Sequence, residues 1–139
     1  MSDNMLKDLA EYLIIYASDV VSQLGVDIFI DRMPDAPDSC VSLNEYEGDP
    51  PNFTGNNVLR SVQVKLRDPD YNTARSNLWA IFTILYDPEK DKRFINIDAD
   101  DLTRWIQVSP RSVPYNLEKD EGGREIFIFN MGINTNRDS

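Results

Sequence analysis

The sequence predicts an α+β fold, a β-sheet with two α-helices packed on it, and three segments carry that reading. In the first, Val62, Val64 and Leu66 alternate with Gln63, Lys65 and Arg67, so a strand turns branched apolar side chains to one side and polar ones to the other. In the second, Asp68-Pro69-Asp70 supplies an N-cap acceptor, a residue with the φ of a first helical position and a charge that complements the helix dipole. Asp68 is the expected cap. Tyr71, Ala74, Leu78, Ile81, Phe82 and Leu85 then recur at helical spacing until Asp87-Pro88 stops them. The third segment runs from Met5 to Leu24, where Leu6, Leu9, Leu13, Tyr16, Val20 and Leu24 lie three or four apart and Gly25 is placed as the stop. Both helices are expected on the same sheet.

The remaining elements follow from local pattern. Val26, Ile28 and Ile30 alternate with Asp27, Phe29 and Asp31, a short strand that leads into the proline-bearing turn Met33 to Asp38. Cys40 to Tyr46 reads as a strand, and Glu47 to Asn57 as a loop too rich in Gly, Pro and Asn to be regular. Beyond the second helix, Glu89 to Arg93 is a charged turn, Phe94 to Ile97 a short extended piece and Leu102 to Ser109 a strand. Ser112 to Leu117 and Arg124 to Ile133 flank the polar turn Glu118 to Gly123 and form a hairpin. In its closing strand Ile126, Ile128 and Asn130 alternate with Phe127, Phe129 and Met131, so both faces are largely apolar. Such a strand is interior, or has an outer face covered by a partner.

Length and composition bound the class. The 139 residues, 16.0 kDa, fit one domain spanning 1–139, with loose ends at 1–4 and 134–139. A hydrophobic share of 41% is enough for a core. The N-terminus shows no basic leader, and Leu13 to Ala17 is too short an apolar run to span a bilayer, so a soluble, intracellularly made protein with no membrane partner is expected. Cys40 is the single cysteine and reads as a buried small side chain. The net charge of −10 is uneven, because residues 1–59 carry 11 acids against two bases and the rest carries 13 against 12. That surface repels nucleic acid at long range.

Catalytic chemistry is poorly provided for. The absence of histidine removes Ser-His-Asp and Cys-His arrangements and the usual zinc sets, and no P-loop, G-x-G-x-x-G or C-x-x-C occurs. No cofactor, catalytic or metal residue is assigned, and the chain is not expected to be an enzyme. The densest carboxylates, Asp98, Asp100 and Asp101, lack the central Gly and distal Glu of a calcium loop and read better as a turn or helix cap. Trp79 and Trp105 read as core, whereas Phe53 is a loop aromatic without apolar neighbours and a candidate contact anchor. The candidate partner-interface residues are therefore Glu47, Asp49, Phe53 and Asn56 in the long loop and Phe127, Phe129 and Met131 on the last strand.

Three segments also resemble a known family. Pro34-Asp35, Pro37-Asp38, Cys40, Glu45 and Gly48 are similar to a P-D-x-P-D-x-C-x-x-x-x-E-x-x-G pattern. Val62-Gln63-Val64 with Arg67, then Tyr71 with Ala74-Arg75, resemble V-Q-V-x-x-R followed by Y-x-x-A-R. Pro114, Asp120, Gly123 and Arg124 are similar to P-x-x-x-G-x-D-x-x-G-R, with Leu117 and Glu118 where a Gly is commoner. In order and spacing these resemble the tailed-phage minor capsid protein family, whose members look like tail terminator proteins at the head-tail neck. The resemblance implies a mixed, mostly antiparallel sheet with both helices on one face. It further implies a non-enzymatic assembly factor forming a ring, hexameric by resemblance, that caps the completed tail tube.

The implied partners are further copies of the chain, the tail tube protein, a head-completion or connector protein and the tape measure protein, with DNA only passing through the lumen. The implied location is the virion neck, with the host cytoplasm during assembly. Two alternatives stand beside it: another neck protein, either head-completion adaptor or stopper, and an acidic inhibitor that mimics DNA.

Overall fold

The computed structural model describes residues 5–46, 58–86 and 106–135. In chain order these form α1 (Met5–Tyr16), β1 (Ile28–Ile30), β2 (Cys40–Tyr46), β3 (Val58–Asp68), α2 (Tyr71–Leu85), β4 (Ile106–Pro110), β5 (Tyr115–Lys119) and β6 (Glu125–Thr135). Their sheet has the order β1-β2-β3-β6-β4, with β5 also paired to β6. Among the described strands only β1 and β2 pair in parallel and the other pairs are antiparallel, which makes the sheet mixed and mostly antiparallel.

The central pair is β3 with β6, in register from Val58↔Thr135 to Asp68↔Glu125. Directly opposed residues of an antiparallel pair share a face, so Val62, Val64 and Leu66 stand beside Met131, Phe129 and Phe127. On β2, Val41 and Leu43 join the same face opposite Leu66 and Val64. Both helices pack there: α1 against β1 and β2, α2 against β3 and β6. Met5, Leu9 and Leu13 of α1 and Ala74, Leu78, Ile81 and Leu85 of α2 complete one buried cluster with these strands. Phe82 meets Phe129 edge-on within it at 5.2 Å between ring centroids, and the half-exposed Tyr71 covers Phe127 at 5.1 Å from the rim.

Because β3 takes one edge of β6 along its whole length, β4 and β5 share the other edge. They are one broken strand. Between them Arg111 and Ser112 both donate their backbone N–H to the Asn130 carbonyl, while the Ser112 hydroxyl accepts from Asn130 N–H at 3.0 Å. A second irregularity between Asn116 and Glu118 leaves Leu117 out of register.

Several expectations move in detail. The first helix ends at Tyr16, well before Gly25. The Asp27 carboxylate accepts the backbone N–H groups of Ser22 and Gln23 at 2.9 to 3.0 Å, which offers that stretch a turn in place of helix. The strand expected from Val26 shortens to Ile28–Ile30. The N-cap of α2 is Asp70, whose side chain accepts from Thr73 N–H; Asp68, the expected cap, instead accepts from Asp70 N–H at 2.8 Å. The strand expected over Leu102 to Ser109 is described from Ile106 to Pro110. Asn134 and Thr135, expected in a loose end, are paired in β6 with both β3 and β4. Phe94 to Ile97 and Trp105 lie outside the described residues.

Candidate functional site

Residues 31–39 join two parallel neighbours, β1 and β2, without a helix. Parallel strands ordinarily need a crossover of a dozen or more residues. The shorter strap suffices here because β1 has only three residues, so the chain returns roughly 10 Å at about 3.3 Å per residue. Asp31 starts the return in the left-handed region at φ 72, and its backbone N–H donates to the Leu43 carbonyl at 2.8 Å.

Two arginines hold the strap. Arg67 lies opposite Cys40 and Ile126, on the sheet face away from the helices, and is only 4% exposed. Its guanidinium donates to the carbonyls of Asp38 and Pro37, which gives the buried charge the acceptors it needs. Arg124 immediately precedes β6. Its Nε–H donates to Asp120 Oδ2 at 2.9 Å, Nη1 to the Asp35 carbonyl at 2.6 Å and to Asp38 Oδ1 at 3.2 Å, and Nη2 to Asp35 Oδ1 at 3.1 Å. Planar, five-donor geometry suits such divergent acceptors; an ammonium could not serve them all.

The turn that carries Arg124 is built around Asp120. Its Oδ1 accepts the N–H groups of Gly122 and Arg124, both at 2.9 Å, and its own N–H donates to the Arg124 carbonyl at 2.8 Å. Gly123 occupies φ 78, a conformation that glycine enters without steric cost. The Arg124 backbone N–H, followed by its guanidinium, holds the Asp120 carboxyl below its ordinary range. In return the hydrogen bond with Asp35, then the charge of Asp120, raises Arg124 above its usual value. At the other end of the strap the Ser39 hydroxyl donates to Asp68 Oδ2 at 2.7 Å, which ties it to the residue before the α2 turn.

Between strap and turn lies an open cleft of about 690 Å³, lined by Met33, Asp35, Asp38, Arg67, Asp120, Glu121, Gly122 and Arg124. Four carboxylates face two guanidiniums whose N–H groups already bind the protein itself, so the rim is acidic. The Asp35 side chain is fully exposed. No nucleophile paired with a base occurs in the cleft, and among the described residues no group of His, Cys, Asp and Glu could hold a metal ion.

The candidate residues read from sequence do not gather here. Glu47, Asp49, Phe53 and Asn56 lie outside the described residues, as do Asp98, Asp100 and Asp101. Phe127, Phe129 and Met131 stand in the core against α2, at 2% exposure or less. Their place follows from register with Val62, Val64 and Leu66, which periodicity within β6 alone could not supply. The other face of β6 carries Ile126, Ile128 and Asn130. Cys40 is buried, as expected, and its thiol is raised by desolvation. Trp79 is half-buried, edge-on to Phe82 and beneath the Arg75 guanidinium.

Arg67 and Arg124 were not on the candidate interface from sequence, yet a signal for them existed. Each of the three family-like segments contributes to this one cleft: Asp35 and Asp38 from the first, Arg67 from the second, Asp120 and Arg124 from the third. Away from the cleft, Tyr115 and Leu117 are exposed along β5 and Val113 just before it, and among the described residues no strand pairs with the outer edge of β5.

No curated protein matches the chain. The model of a family described as bacteriophage tail terminator protein matches residues 17–137, a span that takes in every strand and α2. With the mixed sheet, the helices on one face and the three family-like segments meeting at one cleft, the chain belongs to the bacteriophage tail terminator protein family and is a structural component of the phage tail.

Proposed function

We propose that this chain forms a ring that caps the completed tail tube, stops its polymerisation and receives the head connector without catalysing a reaction. Family membership over residues 17–137 is the observation that carries the reading. Termination needs an asymmetric subunit: one ring face docks on the last tube ring, and the opposite face lacks the tube's own docking surface. An acidic rim on the strap and turn is one distinctive end of such a subunit, and the partly apolar edge of β5, with which no strand pairs among the described residues, is a second distinct surface. Distinct surfaces allow head-to-tail association, the kind that closes a ring. On the sequence argument alone, Glu47, Asp49, Phe53 and Asn56 are further contact candidates in this reading.

The test is mass measurement in solution with and without assembled tail tube protein. A ring that appears alone or on tube ends supports the proposal. A monomer that ignores tubes overturns it, and capsids that leak DNA in the absence of this protein would instead assign it as a stopper.

A further inference from the structure

We infer that Arg124 latches two segments far apart in sequence, the 33–38 strap and the 120–123 turn, into a single ordered unit, with Asp120 as the residue that positions the latch. The geometry is one-centred. A single side chain, 12% exposed, donates to Asp35 twice, to Asp38 once and to Asp120 once. Asp120 makes its side-chain hydrogen bonds within its own turn, yet it fixes the guanidinium that reaches the strap. Arg67 holds the same strap through Pro37 and Asp38 without touching the turn. Two arginines therefore have separable roles: Arg67 orders the strap alone, and Arg124 makes strap and turn move as one. The rim is then preformed before any partner arrives, which lowers the ordering cost of docking.

Backbone ¹⁵N relaxation tests this on the isolated chain, with Met33, Asp35, Ala36 and Asp38 reporting on the strap and Gly122 and Gly123 on the turn. In the native chain both segments are expected near the rigid order parameter of about 0.85. Arg124→Ala should drop the strap below about 0.6, and the turn less, because its backbone hydrogen bonds to Asp120 remain. Arg67→Ala should lower the strap and leave the turn. Asp120→Asn should loosen the strap, although its side chain bonds only within the turn. Arg124→Lys retains the charge but loses the fork, and is expected to loosen the strap. Amides of α2 report whether each variant still folds, and Asp120→Asn and Arg124→Lys decide the matter if Arg124→Ala does not. A strap that keeps its order in both of these variants overturns the inference, whatever the chain's behaviour with tail tubes.

Discussion

Replacing Phe129 with alanine separates the two roles that an apolar strand face can have. Phe129 is 1% exposed and meets Phe82 edge-on at 5.2 Å between centroids, inside the cluster that α2 closes. Truncation removes a buried phenyl ring and leaves a cavity in a core that collapses only in part, at about 3–5 kcal/mol. Loss of the edge-to-face partner is worth about 0.5–1.5 kcal/mol beyond burial, and some of it is already inside that range. About 4 kcal/mol is the working expectation, against a total of about 5–15 kcal/mol for a domain of this kind. In urea the midpoint should fall steeply at unchanged slope, and the melting temperature by roughly 10–20 °C. Met131→Leu, close in volume at a fully buried position, should cost under about 1.5 kcal/mol. Were the Phe127, Phe129, Met131 face held for a partner, Phe129→Ala would leave the isolated chain's stability untouched and impair only assembly. A loss below about 1 kcal/mol in urea refutes the core placement.

Acid should destabilise the fold through specific carboxylates. Asp27, where burial is outweighed by hydrogen bonds from Gln23 and Ser22, and Asp120, held by Arg124, both titrate below their ordinary 3.8. A depressed folded pKa adds stability that is whole above the unfolded value and is lost as pH falls through the folded one, so the urea midpoint should hold from neutrality to about pH 5 and drop below about pH 4. An Asp27→Asn, Asp120→Asn double variant with the same acid slope as the native chain would contradict this. Cys40, buried and with its thiol raised by desolvation, should resist a thiol reagent at neutral pH and react fully once denatured; rapid native-state labelling would place it elsewhere. Ser61 Oγ is fully buried and finds no hydrogen-bond partner among the described residues, so Ser61→Ala should leave stability unchanged or raise it by about 1 kcal/mol in thermal melts.

Much of the fold was legible because its signals are local. The alternation from Val62 to Leu66, the helical recurrence from Tyr71 to Leu85 and the turn at Gly122-Gly123 each need only neighbouring residues to fix a backbone choice, and the structure has all three. The end of α1 was less legible, because the periodicity from Met5 to Leu24 continues past the point where the Asp27 carboxylate captures the N–H groups of Ser22 and Gln23. Neither was the cap of α2 fixed by pattern: Asp68 and Asp70 are both good acceptors, and contact with Ser39 engages the first of them.

By itself, then, the sequence determined the element types, the single-sided character of β3, the poverty of catalytic groups and, through three spaced patterns, the family. Only the tertiary structure decided which face of β6 is core, since both faces are apolar and the choice is made by register with β3. It alone also brought Asp35, Asp38, Arg67, Asp120 and Arg124 to one cleft. Those residues come from three segments whose proximity depends on strand order, and strand order is a property of how a sheet pairs, which no local periodicity encodes.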